Sequence, residues 1–208
     1  MKYSNHSRRG FIASMASVMG GLFITRSVHA RDLTPRTTDG PFYPRPSMRF
    51  ADVDNDLVKI EGAVREAGGE VFYLKGVLSD KQGRPLAGHR IEIWQSDVNG
   101  KYLHTGDNQS TPYDQGFQGF GHDITDANGA YQFRTIKPTE YPGRTPHIHV
   151  KVLSADRELL TTQFYIKNHP INTRDGLFNW MSAAEQERVS MGFRNGESGV
   201  EALVNIVV

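Results

Sequence analysis

Short alternating apolar segments, separated by turn sequences, dominate the chain from Val71 onward. Residues 71–78 and 90–95 alternate apolar with polar side chains, which is the period of a strand with one buried face. Asp126-Ala127-Asn128-Gly129 is a turn sequence that leads into another such segment. Because short strands can bury their apolar faces only against another layer, this pattern predicts an all-β fold, namely an antiparallel β-sandwich.

The other segments add loops and one helix to this prediction. Further strands are expected at residues 147–153, 161–166 and 200–208. Residues 182–191 favour one short C-terminal helix, because Ser182 and Glu185 form a capping-box pattern at its start. Residues 102–122 show neither period, and a compact domain rarely keeps so long an irregular stretch without a use for it. We therefore expect long active-site loops.

The first 30 residues have the pattern of an export signal. Ser7-Arg8-Arg9-Gly10-Phe11-Ile12 is a twin-arginine motif, residues 11–24 are mildly apolar, and Val28-His29-Ala30 resembles a small-residue cleavage site. A membrane anchor is the alternative, but the apolar run is shorter than the roughly 20 residues that span a bilayer. The sequence predicts a twin-arginine signal peptide at residues 1–30, a periplasmic or extracellular protein, and no membrane insertion after cleavage.

Charge and cysteine content exclude several classes of site. Residues 1–30 hold four basic and no acidic residues, so their removal changes the balance from 24 basic and 23 acidic residues to 20 and 23. A slightly acidic mature chain disfavours a nucleic-acid partner, which would need a basic face. The chain has no cysteine, which excludes disulfides, thiolate metal ligands and a thiol nucleophile.

The mature chain is expected to consist of an arm and one domain. Residues 31–70 are predicted to form an extended N-terminal arm, because three prolines within residues 37–46 exclude a central strand there. Phe42 and Tyr43 indicate that this arm packs on the domain. The sandwich domain itself is assigned to residues 71–208.

Residues 141–149, Tyr-Pro-Gly-Arg-Thr-Pro-His-Ile-His, carry the strongest chemical signal in the chain. On a strand, the period of two sends His147 and His149 to one face. Tyr141 adds a phenol, and phenolate oxygen with imidazole nitrogen suits a ferric ion better than zinc, calcium or magnesium. By itself, the His-x-His pattern is equally consistent with a half-buried strand whose polar face carries two histidines.

Four segments resemble the intradiol ring-cleavage dioxygenases, which are non-haem iron(III) enzymes. The segments are Thr38-Asp39-Gly40-Pro41-Phe42-Tyr43, Ile93-Trp94-Gln95-Ser96 through Lys101-Tyr102, Gly129-Ala130-Tyr131-Gln132-Phe133-Arg134, and Tyr141-Pro142 with Arg144 and Pro146-His147-Ile148-His149. The matches extend over residues 38–166. The chain is similar to the single-domain, protocatechuate 3,4-dioxygenase-like type, because it shows no counterpart of the N-terminal dimerisation helices of the catechol type.

The resemblance implies a metal centre and a reaction. It assigns Tyr102, Tyr141, His147 and His149 as ligands of non-haem Fe(III), with Tyr141 and His149 axial and the other two equatorial. It further implies that a catechol-type substrate displaces Tyr141, whose phenolate accepts a substrate proton. Reaction with O2 would then open the ring between the two hydroxylated carbons and give a cis,cis-muconate-type diacid.

The resemblance also assigns catalytic roles to Arg144 and Gln163. Arg144 matches an arginine that stabilises negative charge on the substrate carbon, and Gln163 matches an active-site glutamine. Only Pro142 and Gly143 separate Tyr141 from Arg144, where relatives have a longer loop, so we expect a more open substrate pocket. The remaining candidate histidines are expected to lie outside the ligand set: His104, His122 and His169.

Two other classes of function stay open from the sequence. A prealbumin-like β-sandwich binding module would explain the turn Gly83-Arg84-Pro85-Leu86-Ala87-Gly88, but it gives no reason to combine two tyrosines with two histidines. A zinc hydrolase could use His147 and His149, and it would require a carboxylate or a third histidine as a further ligand. Assembly into a homo-oligomer is also left open.

Overall fold

The computed structural model describes residues 30–63 and 65–208, and these form two five-stranded sheets. The predicted signal segment, apart from Ala30, lies outside the described residues. Two short helices, α1 (Gly176–Asn179) and α2 (Ala183–Arg188), and two 3₁₀ turns, Pro46–Met48 and Pro170–Arg174, accompany the sheets. The strands are β1 (Val71–Ser79), β2 (Arg90–Trp94), β3 (Phe120–Ile124), β4 (Ala130–Ile136), β5 (His147–Ser154), β6 (Arg157–Ile166), β7 (Ser190–Met191), β8 (Phe193–Gly196), β9 (Gly199–Leu203) and β10 (Ile206–Val207).

The two sheets pack face to face around an apolar core. In the first sheet β1 pairs with β4, β9 and β10, and β8 pairs with β9; the second sheet has the order β3-β2-β5-β6-β7. Fully buried side chains of both sheets fill the core, among them Phe72, Leu74, Phe133, Ile93, Ile148 and Val150. The predicted all-β sandwich is confirmed. Most pairings are antiparallel, and within the described residues three are parallel: β1 with β9, β1 with β10, and β6 with β7.

Strand β5 lies at the centre of the second sheet and presents two chemically different faces. Ile148 and Val150 point into the core, so the alternation of the strand sends His147 and His149 to the opposite face. That opposite face is nevertheless shielded from solvent, since both histidines are 3% exposed. Its cover comes largely from the N-terminal arm, whose Tyr43 ring packs edge-on against Trp94 with the centroids 4.8 Å apart.

The N-terminal arm is tied to both sheets. The Leu57 amide donates to the Arg134 carbonyl in β4, and the His122 amide in β3 donates to the Asp54 carbonyl. Leu57 and Val58 are fully buried in the main core. The arm therefore shares the core of the sandwich and is not a separate unit.

The C-terminal helical region is more divided than the sequence indicated. The capping box of Ser182 and Glu185 is present, but α2 ends at Arg188 because the chain enters β7 two residues later. A single helical turn, α1, precedes it, with Asp175 as its N-cap. In the described part of the chain, no helix has the length and apolarity needed to cross a membrane.

The predicted last strand is interrupted between β9 and β10. The Val204 carbonyl accepts a hydrogen bond from the Tyr131 hydroxyl, at 2.6 Å, and does not bond to a neighbouring strand. This turned carbonyl lies directly over Gly76 of β1, where an added Cβ would stand 1.9 Å from the Val204 oxygen. Only glycine therefore fits at position 76.

Replacing Gly76 with alanine should destabilise the sandwich by about 1–3 kcal/mol or more, because the new methyl group overlaps the Val204 carbonyl. Chemical denaturation measures the loss. Gly192→Ala is the matched control, since the nearest atom to an added Cβ there is Lys167 Cδ at 3.8 Å. Equal stability of the two variants would contradict this account of the interrupted strand.

Candidate active site

The His-x-His motif brings two imidazoles together on the outer face of β5. The Nε2 atoms of His147 and His149 are 3.1 Å apart, and the Tyr102 hydroxyl lies 3.3 Å from His147 Nε2. Two of these possible metal-binding atoms come from one strand, and the third comes from the loop after β2. The structure thus brings together three of the four predicted ligand atoms at hydrogen-bond distance.

Tyr141 completes the group of four from a tight turn. The Arg144 amide donates to the Tyr141 carbonyl at 2.9 Å, and Gly143 between them has φ +80°. A glycine suits this conformation because other residues rarely adopt it. The turn places the Tyr141 ring edge-on to Tyr102, with the ring centroids 5.5 Å apart. Tyr141 is only partly buried, whereas Tyr102 is 3% exposed.

Burial keeps both imidazoles neutral. Desolvation, reinforced by the nearby Arg144 charge, lowers the pKa of His147 to about 4. Desolvation likewise holds the pKa of His149 well below its usual value, with His147 and Arg144 adding to the effect. The Thr145 carbonyl, 2.6 Å from His147 Nδ1, can only accept, so Nδ1 carries the hydrogen. The lone pair of His147 is therefore on Nε2, the atom that faces His149 and Tyr102.

Cross-strand neighbours fix the orientation of His149. Trp94 of β2 stands opposite it in the sheet register and stacks on its ring, with the centroids 4.8 Å apart and the planes within 8°. On the arm, Gly40 approaches so closely that an added Cβ would lie 3.2 Å from His149 Cε1. The imidazole is thus held between an indole and the arm backbone.

The loop that carries Tyr102 is held by Asp107. The Asp107 carboxylate accepts from the Tyr102 amide at 2.8 Å. Burial raises the pKa of the Tyr102 phenol. Burial also raises the pKa of Tyr141, as does the Asp107 charge, while the Arg144 charge opposes them. Without a bound cation both phenols are therefore protonated at neutral pH.

The donor set fits a ferric ion. Two nitrogens that share one metal ion at about 2.1 Å each, at right angles, stand about 3 Å apart, close to the observed separation of the two Nε2 atoms. Phenolate ligands would balance positive charge in a site from which water is largely excluded. Among the described residues, no group of three or more His, Cys, Asp or Glu side chains gathers to hold a metal, so the histidine pair combines with tyrosines instead.

Arg144 enters the site as the partly exposed half of an ion pair whose carboxylate partner is buried. Its Nε donates to Asp175 Oδ2 at 2.7 Å, and its Nη2 donates to Gln163 Oε1 at 2.7 Å. Gln163 is fully buried, stands opposite His149 in β6, and donates to the Thr38 carbonyl. Both Oε1 and Nε2 of Gln163 are thus hydrogen-bonded to other groups of the protein. Sequence reasoning missed Asp175, whose only local signal is an N-cap position before a short helix.

Three further histidines make contacts with groups other than the four predicted ligands. His122 is on β3 opposite Glu92, and His169 precedes the Pro170–Arg174 turn. His104 packs near Phe42, and its Nδ1 accepts from the Gly106 amide. Their exclusion from the ligand set stays a prediction.

A broad cleft opens beside Tyr141 and Arg144. Its volume is about 550 Å³. Pro142 and Gly143, neither of which carries a bulky side chain, form part of its wall. The rest of the lining comes from Gln109, Glu140, Thr145, Ile171, Arg174 and Asp175.

Comparisons with known proteins agree on one group of relatives. The model of a family described as Dioxygenase matches residues 38–206. The chain is 34% identical over 149 residues to the protocatechuate 3,4-dioxygenase beta chain of Burkholderia cepacia, and this alignment covers 68% of this chain and 63% of that protein. It is 28% identical over 196 residues to hydroxyquinol 1,2-dioxygenase of Nocardioides simplex, and this alignment covers 84% of this chain and 62% of that protein. The chain thus spans less than two thirds of the length of these curated relatives.

A solved structure shows the same architecture. The dioxygenase domain of a dioxygenase carbohydrate-binding protein fusion from the cellulolytic bacterium Streptomyces sp. SirexAA-E superposes with a TM-score of 0.64 at 32% identity. The superposition covers 85% of this chain and 98% of that chain.

The buried neutral histidines make the stability of the metal-free protein depend on pH. The unfolded chain takes up protons on His147 and His149 as the pH falls below about 6.5. In the folded chain the pKa of His147 is lowered to about 4, and the pKa of His149 lies well below its usual value. The free energy of unfolding should therefore fall between pH 6.5 and 4, by up to about 1.4 kcal/mol per pH unit for each histidine. Denaturation of the His147→Gln/His149→Gln variant should show a shallower slope, and parallel curves would contradict the assignment of neutral imidazoles.

Proposed function

Because the chain belongs to the intradiol ring-cleavage dioxygenase family, we propose that it cleaves a catecholic ring between its two hydroxylated carbons with O2. The product would be a cis,cis-muconate-type diacid. The observation that carries this proposal is the gathering of Tyr102, Tyr141, His147 and His149 beside the cationic side chain of Arg144.

Tyr102, Tyr141, His147 and His149 are the residues that would hold non-haem Fe(III). A bound ferric ion supplies Lewis acidity: it withdraws electron density from a chelated catecholate and so makes the ring reactive toward dioxygen. Neutral His147 offers its Nε2 lone pair, and His149 would present the Nε2 atom that faces it. Trp94 and Gly40 keep the ring of His149 in place during substrate exchange.

Tyr141 is suited to act as a base toward the substrate. It stands on a turn at the edge of the cleft and is only partly buried, whereas Tyr102 is enclosed. Burial raises the pKa of its phenol, so a Tyr141 phenolate would be a strong proton acceptor at Oη. Tyr141 would thus take a proton from the substrate hydroxyl, and Tyr102 would remain in place.

Arg144 supplies a fixed positive charge at the same edge of the cleft. A cation held in a largely desolvated site stabilises negative charge that develops on the substrate ring. Gln163 accepts from Arg144 with Oε1 and donates to the Thr38 carbonyl with Nε2. Gln163 would therefore contribute by orienting the guanidinium.

The two other functions have less support. A zinc hydrolase would need a carboxylate or a third histidine near His147 and His149, and the described residues offer neither. A binding module without catalysis gives no reason for two tyrosines and a half-buried arginine to face the same histidine pair.

The width of the cleft bears on substrate choice. A volume of about 550 Å³ is several times that of a catechol ring. The short link between Tyr141 and Arg144 leaves this side of the site open. We therefore propose that ring substituents on the substrate are tolerated on this side.

We further propose export through the twin-arginine pathway, on the basis of Ser7-Arg8-Arg9-Gly10-Phe11-Ile12. Replacing Arg8 and Arg9 together with lysine should retain the protein in the cytoplasm of an expressing bacterium, as measured by cell fractionation. Arg26→Lys is the control, because it lies outside the motif. Unchanged fractionation of the double variant would exclude this route.

The central test is the visible absorption of purified protein whose iron content has been quantified. Phenolate-to-iron(III) charge transfer should colour it red-brown, and anaerobic addition of catechol should shift the band. Admission of O2 should then give a diacid product with consumption of one O2 per catechol. A colourless, iron-replete sample that leaves catechols unchanged would refute the proposal.

Tyr141→Phe serves as the internal check on that test. This variant should lose roughly 100-fold or more in turnover, because it lacks the departing base, while it folds normally. Tyr73→Phe is the matched control, since Tyr73 lies in β1 of the other sheet. Parent-like turnover by Tyr141→Phe would show that the assignment of Tyr141 is wrong.

A further inference from the structure

We propose that Asp175 is a positioning residue for the reaction: it holds the Arg144 guanidinium at the edge of the cleft and couples it to the cleft wall. This inference rests on the proposed function for the role of Arg144. The geometry that carries it does not depend on a bound metal.

The Asp175 carboxylate is enclosed and fully engaged by donors. Its side chain is 0% exposed, and its Oδ2 accepts from Arg144 Nε at 2.7 Å and from the Thr145 amide at 3.0 Å. Its Oδ1 accepts from the Phe178 amide at 3.1 Å. Three N–H donors therefore meet two oxygens that no water reaches.

Burial requires the Asp175 carboxylate to be paired, and its hydrogen bonds fix the direction of the Arg144 side chain. An unpaired carboxylate in this position would be costly, and burial alone would raise the pKa of Asp175. The hydrogen bond from Arg144 and those from the two amides outweigh burial and hold the pKa of Asp175 below its usual value. Asp175 is therefore charged at neutral pH, and it fixes Arg144 through Nε, while Nη2 of the same guanidinium donates to Gln163.

The second carboxylate oxygen links Arg144 to the wall of the cleft. Asp175 ends the Pro170–Arg174 turn and caps α1, and this turn contributes Ile171 and Arg174 to the cleft lining. Thr145, the residue after Arg144, also bonds through its hydroxyl to Asn172 in this turn. The position of the guanidinium is thus set by the segment that a substrate would touch.

The competing role for Asp175 is that of a helix cap alone. A cap contributes about 0.5–2 kcal/mol to stability and has no reason to change turnover. Asp175→Asn separates the two roles, because asparagine caps a helix about as well as aspartate but carries no charge to pair with Arg144, and its one amide oxygen cannot accept from Arg144, Thr145 and Phe178 together. Ser182→Ala is the matched control, since Ser182 caps α2 and makes no contact with Arg144.

The experiment is a double-mutant cycle in the iron-loaded enzyme. Asp175→Asn should lower kcat roughly 10- to 100-fold with little change in KM, because misplacement of a catalytic charge affects the transition state most. In an Arg144→Gln background the same substitution should change kcat less than about twofold, because its effect passes through Arg144. Ser182→Ala should lower Tm and leave kcat at the parent value. Asp175→Glu, which keeps the charge but moves the carboxylate by one methylene, should also lower kcat and serves if Asp175→Asn does not fold.

A crystal structure of an iron-loaded Asp175 variant gives a readout independent of turnover. The guanidinium should move by about 1 Å or more from its parent position, enough to cost activity. Parent-like kcat in both Asp175 variants, or equal losses in both backgrounds of the cycle, would overturn the proposal. If the parent enzyme itself cleaves no catechol, the proposed function fails, and an unmoved guanidinium in the variant would then overturn the positioning role as well.

Discussion

The alternation of β5 is the constraint on which the site depends. Ile148 and Val150 anchor the strand in the core, so His147 and His149 must face the other way. Residues paired in register on adjacent strands share a face, which places Trp94 and Gln163 on either side of His149. The donor geometry is therefore held by the same hydrogen-bonded ladders that hold the core, and a shift of one residue in register would destroy both.

The second requirement is that the outer face of this sheet be dry. The N-terminal arm and the loop after β2 cover it with an aromatic cluster built on Trp94, Tyr102 and Phe120. Desolvation lowers the pKa of the imidazoles, which therefore stay neutral, and raises the pKa of the phenols, whose phenolates are therefore strong bases. These are the forms that bind a cation. A lone arginine would be costly in such a place, and Asp175 compensates its charge while fixing its direction.

Local patterns predicted much of this arrangement. The period of two located β5 and the facing histidines, and the capping box of Ser182 located α2. Only Pro142 and Gly143 separate Tyr141 from Arg144 in the sequence, and in the structure a tight turn joins them. Tyr102, 45 residues before His147, came only from resemblance to a family, since no local period relates a loop tyrosine to a distant strand. The division of the last strand was missed because it depends on a carbonyl turned toward Tyr131.

The sequence by itself determined the sandwich, the faces of its strands and the types of donor within residues 141–149, because these follow from spacing along a chain of known geometry. Tertiary structure alone decided which outer face is dry, that Gln163 bonds to Arg144, and that Asp175 holds Arg144 from 31 residues away. The reason is that burial and ion pairing depend on which segments meet in space, and local spacing carries no information about a partner from another element of the fold.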